Sequence, residues 1–184
     1  MTEILKNMIH YLGQIYNFPI HESVIVMAAV AFLYFFGCAF VTGLKRKITK
    51  YVIVSGLLFS FYVSQVIGLT LLNRTITEEA RYDLNMIDVY RIAFSGNSVF
   101  MTQLIGNVIM FIPFGILVPI CFQKIRGILK ITLISFLASL FIETTQLYTH
   151  TGLFELVDLL NNTLGGIIGY LIYKIFYFVY KIIK

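Results

Sequence analysis

Long uncharged apolar stretches alternate with short polar connectors along this chain, and their lengths predict helices that cross a bilayer. The stretches 24–44 and 51–72 are each long enough to span a hydrocarbon core of about 30 Å. Three further spans are expected at 102–122, 128–148 and 159–180. The predicted fold class is therefore all-α, a polytopic membrane bundle of about five transmembrane helices forming one domain over 23–184. No internal repeat, low-complexity tract or shift in composition marks a second domain. Segment 1–22 differs in pattern. Glu3, Lys6, His10 and Gln14 alternate with Ile4, Leu5, Met8, Leu12, Ile15 and Tyr16, which predicts an amphipathic helix lying in the interface, not a cleaved leader.

Composition fixes the solvent. Hydrophobic residues make up 59% of the 184 positions and charged residues only 12%, too apolar a balance for a soluble domain of this size. The net charge of +5 does not point to nucleic acid, because the basic residues gather at helix ends. Lys45, Arg46, Lys47 and Lys50, then Lys124, Arg126 and Lys130, then Lys174, Lys181 and Lys184 all fall on one side of a five-helix layout. Lys6, Arg74, Arg81 and Arg91 fall on the other. The positive-inside rule then predicts an outward amino terminus, a cytoplasmic carboxyl terminus and an outward loop over 73–101. That loop mixes acids with Leu84, Ile87, Val89, Ile92 and Phe94, so a short helix or re-entrant segment against the membrane is expected within it. Cys38 and Cys121 both fall in predicted spans, where they read as small apolar filling without redox or metal chemistry.

One carboxylate breaks the apolar pattern. Glu143 lies within the fourth predicted span, where a charge costs roughly 2.5–3.5 kcal/mol on insertion scales, so it needs a partner or a purpose. At about 100° per residue, Thr132, Ser139, Glu143, Gln146 and His150 share one face of that helix. Counted from Lys130, Glu143 is roughly 20 Å along a core of about 30 Å, in its outer half. The fifth span repeats the arrangement with Asp158, Asn162, Gly165 and Gly169 in one stripe, polar at its head and small further in. Asp158 is also a candidate helix cap. In the third span Asn107, Phe111 and Phe114 share a face above Pro113, a residue that frees a carbonyl and bends a helix. Gly56, Ser60, Ser64 and Gly68 form a small-residue ridge on the second span, a packing signal. The stripe at Gly165 and Gly169 either closes the bundle internally or pairs two chains into a homo-oligomer.

These residues resemble the VanZ-like membrane proteins. The resemblance rests on Gly106, Asn107, Phe111, Pro113, Phe114 and Gly115, then Glu143 with Gln146, then Asp158, Asn162, Thr163 and Gly165, and covers roughly residues 71–173. Two features depart from the family's pattern. Val157 stands where a second adjacent acid is common, and an element usual before the third span survives only as Leu84-Asn85-Met86-Ile87-Asp88. The resemblance implies a small multi-pass protein of a bacterial cytoplasmic membrane, in a family named for a teicoplanin-resistance accessory protein.

Three functions compete. The first is binding: an outward polar cavity holds an amphiphilic envelope ligand, either a lipid-linked precursor or the lipoglycopeptide teicoplanin, using Asn107, Glu143, Gln146, Asp158 and Asn162 with Arg74 or Arg91 nearby. The second is catalysis on a lipid head group, with Glu143 and Asp158 as acid and base and an arginine at the phosphate. The third is proton-coupled transport. No nucleophile elbow, zinc-binding HExxH or phosphate loop occurs, His150 alone makes no metal site, and no cofactor is expected. Partners are expected to be membrane lipids and the envelope ligand.

Overall fold

A computed structural model describes residues 6, 20–42, 49–72, 74, 76 and 78–184, without the side chains of 20, 21 and 39–42. The predicted interfacial segment 1–22 lies outside the described residues, apart from Lys6 and the start of the first helix. Among the described residues six α-helices follow one another: α1 (Ile20–Thr42), α2 (Lys50–Ile67), α3 (Met86–Phe94), α4 (Ser98–Cys121), α5 (Ile128–Thr149) and α6 (Leu156–Ile183). Among the described residues four stretches have the length and apolarity to cross a membrane, namely Lys50–Leu72, Ser98–Cys121, Ile128–Thr149 and Leu156–Ile183. In α1 the described apolar portion is Glu22–Cys38. The architecture is an all-α helical bundle, as the pattern predicts.

The bundle is organised around α4 and α6, which approach backbone to backbone. Glycine is required where they touch. A methyl group at Gly115 would overlap the Gly166 carbonyl, one at Gly165 the Val108 carbonyl, and one at Gly169 the Ile112 carbonyl. With no apolar solvent effect to drive helices together in lipid, close packing of this kind supplies the attraction. The stripe thus closes the bundle internally. Phe111, 1% exposed, fills the space beside Gly165, and its ring lies 5.4 Å from that of Phe114. α4 continues through Pro113 and Pro119 as one 24-residue helix.

α5 packs on α6 from the other side. Its buried face runs through Ile131, Ser135, Ser139, Ile142, Glu143 and Gln146. Thr132 departs from the predicted polar face: its hydroxyl bonds back to the Ile128 carbonyl at 2.9 Å and needs no neighbour. α2 buries its small-residue ridge, with the Ser60 and Ser64 hydroxyls donating to carbonyls of their own helix. The Tyr34 ring of α1 presses on Gly56, and Gln65 donates to Ser23 at 2.8 Å to pin α1 against α2. Tyr62 donates to the Met110 carbonyl at 2.9 Å, joining α2 to α4.

The described residues after α2 include regular elements. α2 runs on as a π-helical turn over Gly68–Leu72. A short strand β1 (Arg81–Asp83) pairs in parallel with β2 (Leu153–Glu155), setting Arg81 opposite Leu153 and Asp83 opposite Glu155. The all-α reading contained no strands. Three residues per strand leave no alternation to detect. α3 follows, capped by the Asn85 side chain, and buries Val89 and Ala93 against Leu104 and Val157. A second apolar cluster of Val118, Ile131, Tyr170 and Tyr173 fills the opposite, lysine-rich end.

Candidate functional site

The junction of α4, α5, β2 and α6 gathers most of the polar residues singled out in the sequence. Glu143 is 2% exposed, and its Oε2 accepts a hydrogen bond from the Glu155 main-chain N–H at 3.2 Å. That donor is available because Glu155 is the N-cap of α6, whose first N–H groups have no partner within the helix. The carboxylates of Asp158 and Glu155 and the Arg74 guanidinium all act electrostatically on Glu143. Asp158 occupies the first turn of α6, where a negative charge complements the helix dipole, but Glu155 holds the cap position. The Asn107 side chain of α4 meets Asp158 from across the α4–α6 contact.

The cluster is layered. Glu143 and Asn107 form a buried floor, Asp158 and Glu155 are partly exposed above it, and Arg74 is exposed at the rim. Arg74 acts on all three carboxylates. Outside the membrane-spanning helices, burial pushes the Glu155 carboxyl above the usual carboxylate range, with Asp83 adding to the shift and Arg74 opposing it. Among the described residues no group of three His, Cys, Asp or Glu side chains is arranged to hold a metal ion.

Below the floor the seam between α5 and α6 remains polar. The Asn162 amide donates to Ser139 Oγ at 2.9 Å. Its Oδ1 has no partner although the residue is only 1% exposed, and Ser135 Oγ, next to Gly166, is similarly unpartnered. Such groups carry a desolvation cost of about 1–3 kcal/mol each.

A model of the VanZ/LLP1 family matches residues 24–177. The chain is also 31% identical to Protein VanZ of Enterococcus faecium over 123 residues, 66% of this chain and 74% of that protein. This protein belongs to the VanZ/LLP1 family. No solved structure matches it. The match begins at residue 24, well before the motifs that carry the resemblance, so the VanZ/LLP1 region takes in α1 and α2.

Within this VanZ/LLP1 chain the predicted residues separate by position. Asn107, Glu143, Asp158 and Arg74 come together. Gln146 is engaged elsewhere: its amide donates to the Thr70 carbonyl at 2.8 Å, in the π-helical turn that ends α2. Asn162 lies deeper, on Ser139. Arg91 lies apart from the cluster, exposed and ion-paired with Asp88 on its own helix at 2.9 Å. Phe111, Gly115, Gly165 and Gly169 form the α4–α6 contact.

Two participants escaped the sequence reading. Glu155 sits in a three-residue strand with no periodicity to expose it. Asn161, 5% exposed, accepts a hydrogen bond from Tyr90 at 3.1 Å and fastens α3 to α6. The adjacent amides of Asn161 and Asn162 were the available signal, because two buried polar residues in succession require a helix covered on two faces.

Proposed function

We propose that this VanZ/LLP1 protein binds the head group of an amphiphilic cell-envelope ligand at the Glu143 cluster, and that the ligand class includes the lipoglycopeptide teicoplanin. The observation that carries the reading is the convergence of Glu143, Glu155 and Asp158 from three elements beside Asn107 and the exposed Arg74. Acids outnumber the neighbouring cation, so the site suits a head group rich in hydrogen-bond donors, as sugars and amines are. The apolar helices around it suit an acyl chain. Teicoplanin enters through the family resemblance.

The cationic end of the bundle faces the cytoplasm in this reading, which turns the Glu143 cluster outward in a bacterial cytoplasmic membrane with α1 as a fifth span. A cysteine at Ser95 in a background lacking Cys38 and Cys121 tests the orientation. It is expected to react with a membrane-impermeant maleimide in intact cells, whereas labelling only after permeabilisation reverses the topology.

The functional test is teicoplanin susceptibility of an expressing host, wild type against Glu143→Gln at matched membrane levels, with vancomycin as the control without an acyl chain. Protection selective for teicoplanin and lost in the variant supports the reading. Full protection by the variant removes Glu143 from it, and no protection by wild type removes teicoplanin.

A second reading is favoured by one observation: the Asp158 carboxylate acts on Glu143, and the Arg74 guanidinium acts on both, the set an acid–base reaction at a lipid phosphate would use. Turnover of a labelled lipid-linked precursor by the purified protein separates the two. Binding without product keeps the first reading.

A further inference from the structure

At the lysine-rich end a cavity of about 690 Å³ opens between α1, α2 and the last turn of α4. It is remote from the Glu143 cluster, since Asn107 and Cys121 lie about 21 Å apart along α4. Pockets of roughly 300–1,000 Å³ hold small ligands, so this one has working size.

Its lining extends along α1. The lining on α1 runs from Val30 to Cys38, about 12 Å of helix, against about 15 Å for one leaflet of the hydrocarbon core. Leu33, Phe59 and Phe122 complete apolar walls. Gly37 lies on the lining, and a Cβ added there would meet nothing within 4 Å. This glycine borders open space, unlike Gly56 nearby, where the Tyr34 ring needs the room.

Tyr34, Cys38 and Cys121 also line it, the Cys121 thiol donating to the Ser55 carbonyl at 3.3 Å, and Lys124 is the charged residue on the lining, next to Gln123 at the rim. Lys130 Nζ donates to the Lys124 carbonyl at 3.0 Å, which gathers a second ammonium group beside the rim. Lys50 opens α2 at the same end of the bundle. An apolar slot one leaflet deep with cations at its mouth matches one ligand chemistry, an acyl chain bearing an acidic head group.

We propose that this cavity holds one acyl chain of an acidic membrane phospholipid, with its phosphate at Lys124 and Lys130. The lipid would bridge α1 and α2 to α4 and so act as part of the bundle. The proposal is independent of any function at the Glu143 cluster.

The test uses the full chain in vesicles of phosphatidylglycerol and phosphatidylcholine, with a photoactivatable group at the acyl end of either lipid. Phosphatidylglycerol is expected to label Val30, Leu33 and Phe59 in preference to phosphatidylcholine. Gly37→Phe, which fills the cavity, should lower that labelling by about tenfold, while Gly37→Ala preserves it. Labelling at Phe176 and Phe178 on the exposed part of α6 should stay unchanged, which reports an intact fold. Lys124→Gln with Lys130→Gln should abolish the preference for phosphatidylglycerol. Equal cavity labelling in wild type and Gly37→Phe overturns the proposal, as does the absence of a wild-type preference between the lipids.

Discussion

The carboxylate of Glu143 on α5 accepts a hydrogen bond from the main-chain N–H of Glu155 at 3.2 Å, at the point where β2 ends and α6 begins. Glu143 therefore has two properties that mutation separates, an acceptor and an electrostatic role. Glu143→Gln keeps an acceptor of the same size, whereas Glu143→Ala leaves the Glu155 N–H unmatched. Alanine is expected to destabilise the bundle by about 1–3 kcal/mol and glutamine by less. Thermal unfolding in detergent checks the order, and equal losses would mean that the hydrogen bond contributes little.

The α4–α6 crossing gives a steric prediction. Gly115→Ala and Gly169→Ala each direct a methyl group into a carbonyl oxygen and are expected to cost about 1–3 kcal/mol, since the helices must separate. Gly37→Ala, inside α1 where a Cβ meets nothing within 4 Å, is the comparison and should not lower the melting temperature. A tolerated alanine at both Gly115 and Gly169 would contradict the close approach.

Gln146 connects α5 to the Thr70 carbonyl at the end of α2. Gln146→Leu preserves bulk but leaves that carbonyl unpaired, for an expected loss of about 1 kcal/mol. The checkable consequence is local. A cysteine probe at Leu72, 50% exposed, should become more reactive in the Leu variant while one at Phe178 does not.

A pH prediction follows from Glu155. Its folded-state pKa is raised by burial and by Asp83, so the neutral carboxyl is the form the fold favours. Its contribution to stability is fully present below the ordinary carboxylate pKa of about 4.3 and is lost as pH rises through the raised folded value. Glu155→Gln removes that loss. The melting temperature of the variant should gain on wild type as pH rises through this window, and a difference independent of pH would refute the assignment.

The all-α class was legible from hydropathy, and helix ends were not. The second span, expected at 51–72, lies at Lys50–Leu72, and the fourth, expected at 128–148, at Ile128–Thr149. The fifth begins at Leu156, not 159, because helical hydrogen bonding extends past Asp158, where apolarity stops. Likewise α4 starts at Ser98 on an Asn97 cap, four residues before the expected 102. Glu143 was conspicuous because a carboxylate among apolar residues has no other reading. Ser135 was not, since a small hydroxyl on an apolar face carries no such contrast. Arg74 and Arg91 were equivalent in sequence, as two cations in one loop. The fold separates them: α3 supplies Asp88 to Arg91, while Arg74 stays beside the carboxylates.

The parallel pairing of Arg81–Asp83 with Leu153–Glu155 also sets an order of assembly. β1 is made long before its partner strand exists, and β2 is joined directly to the last helix. A nascent chain made as far as α5 still has its first strand unpaired and Glu143 without the Glu155 donor. Both are supplied by the β2–α6 segment, so the polar cluster forms only after that segment has been made. A chain stopped before β2 would keep most of its helices and lack the cluster altogether.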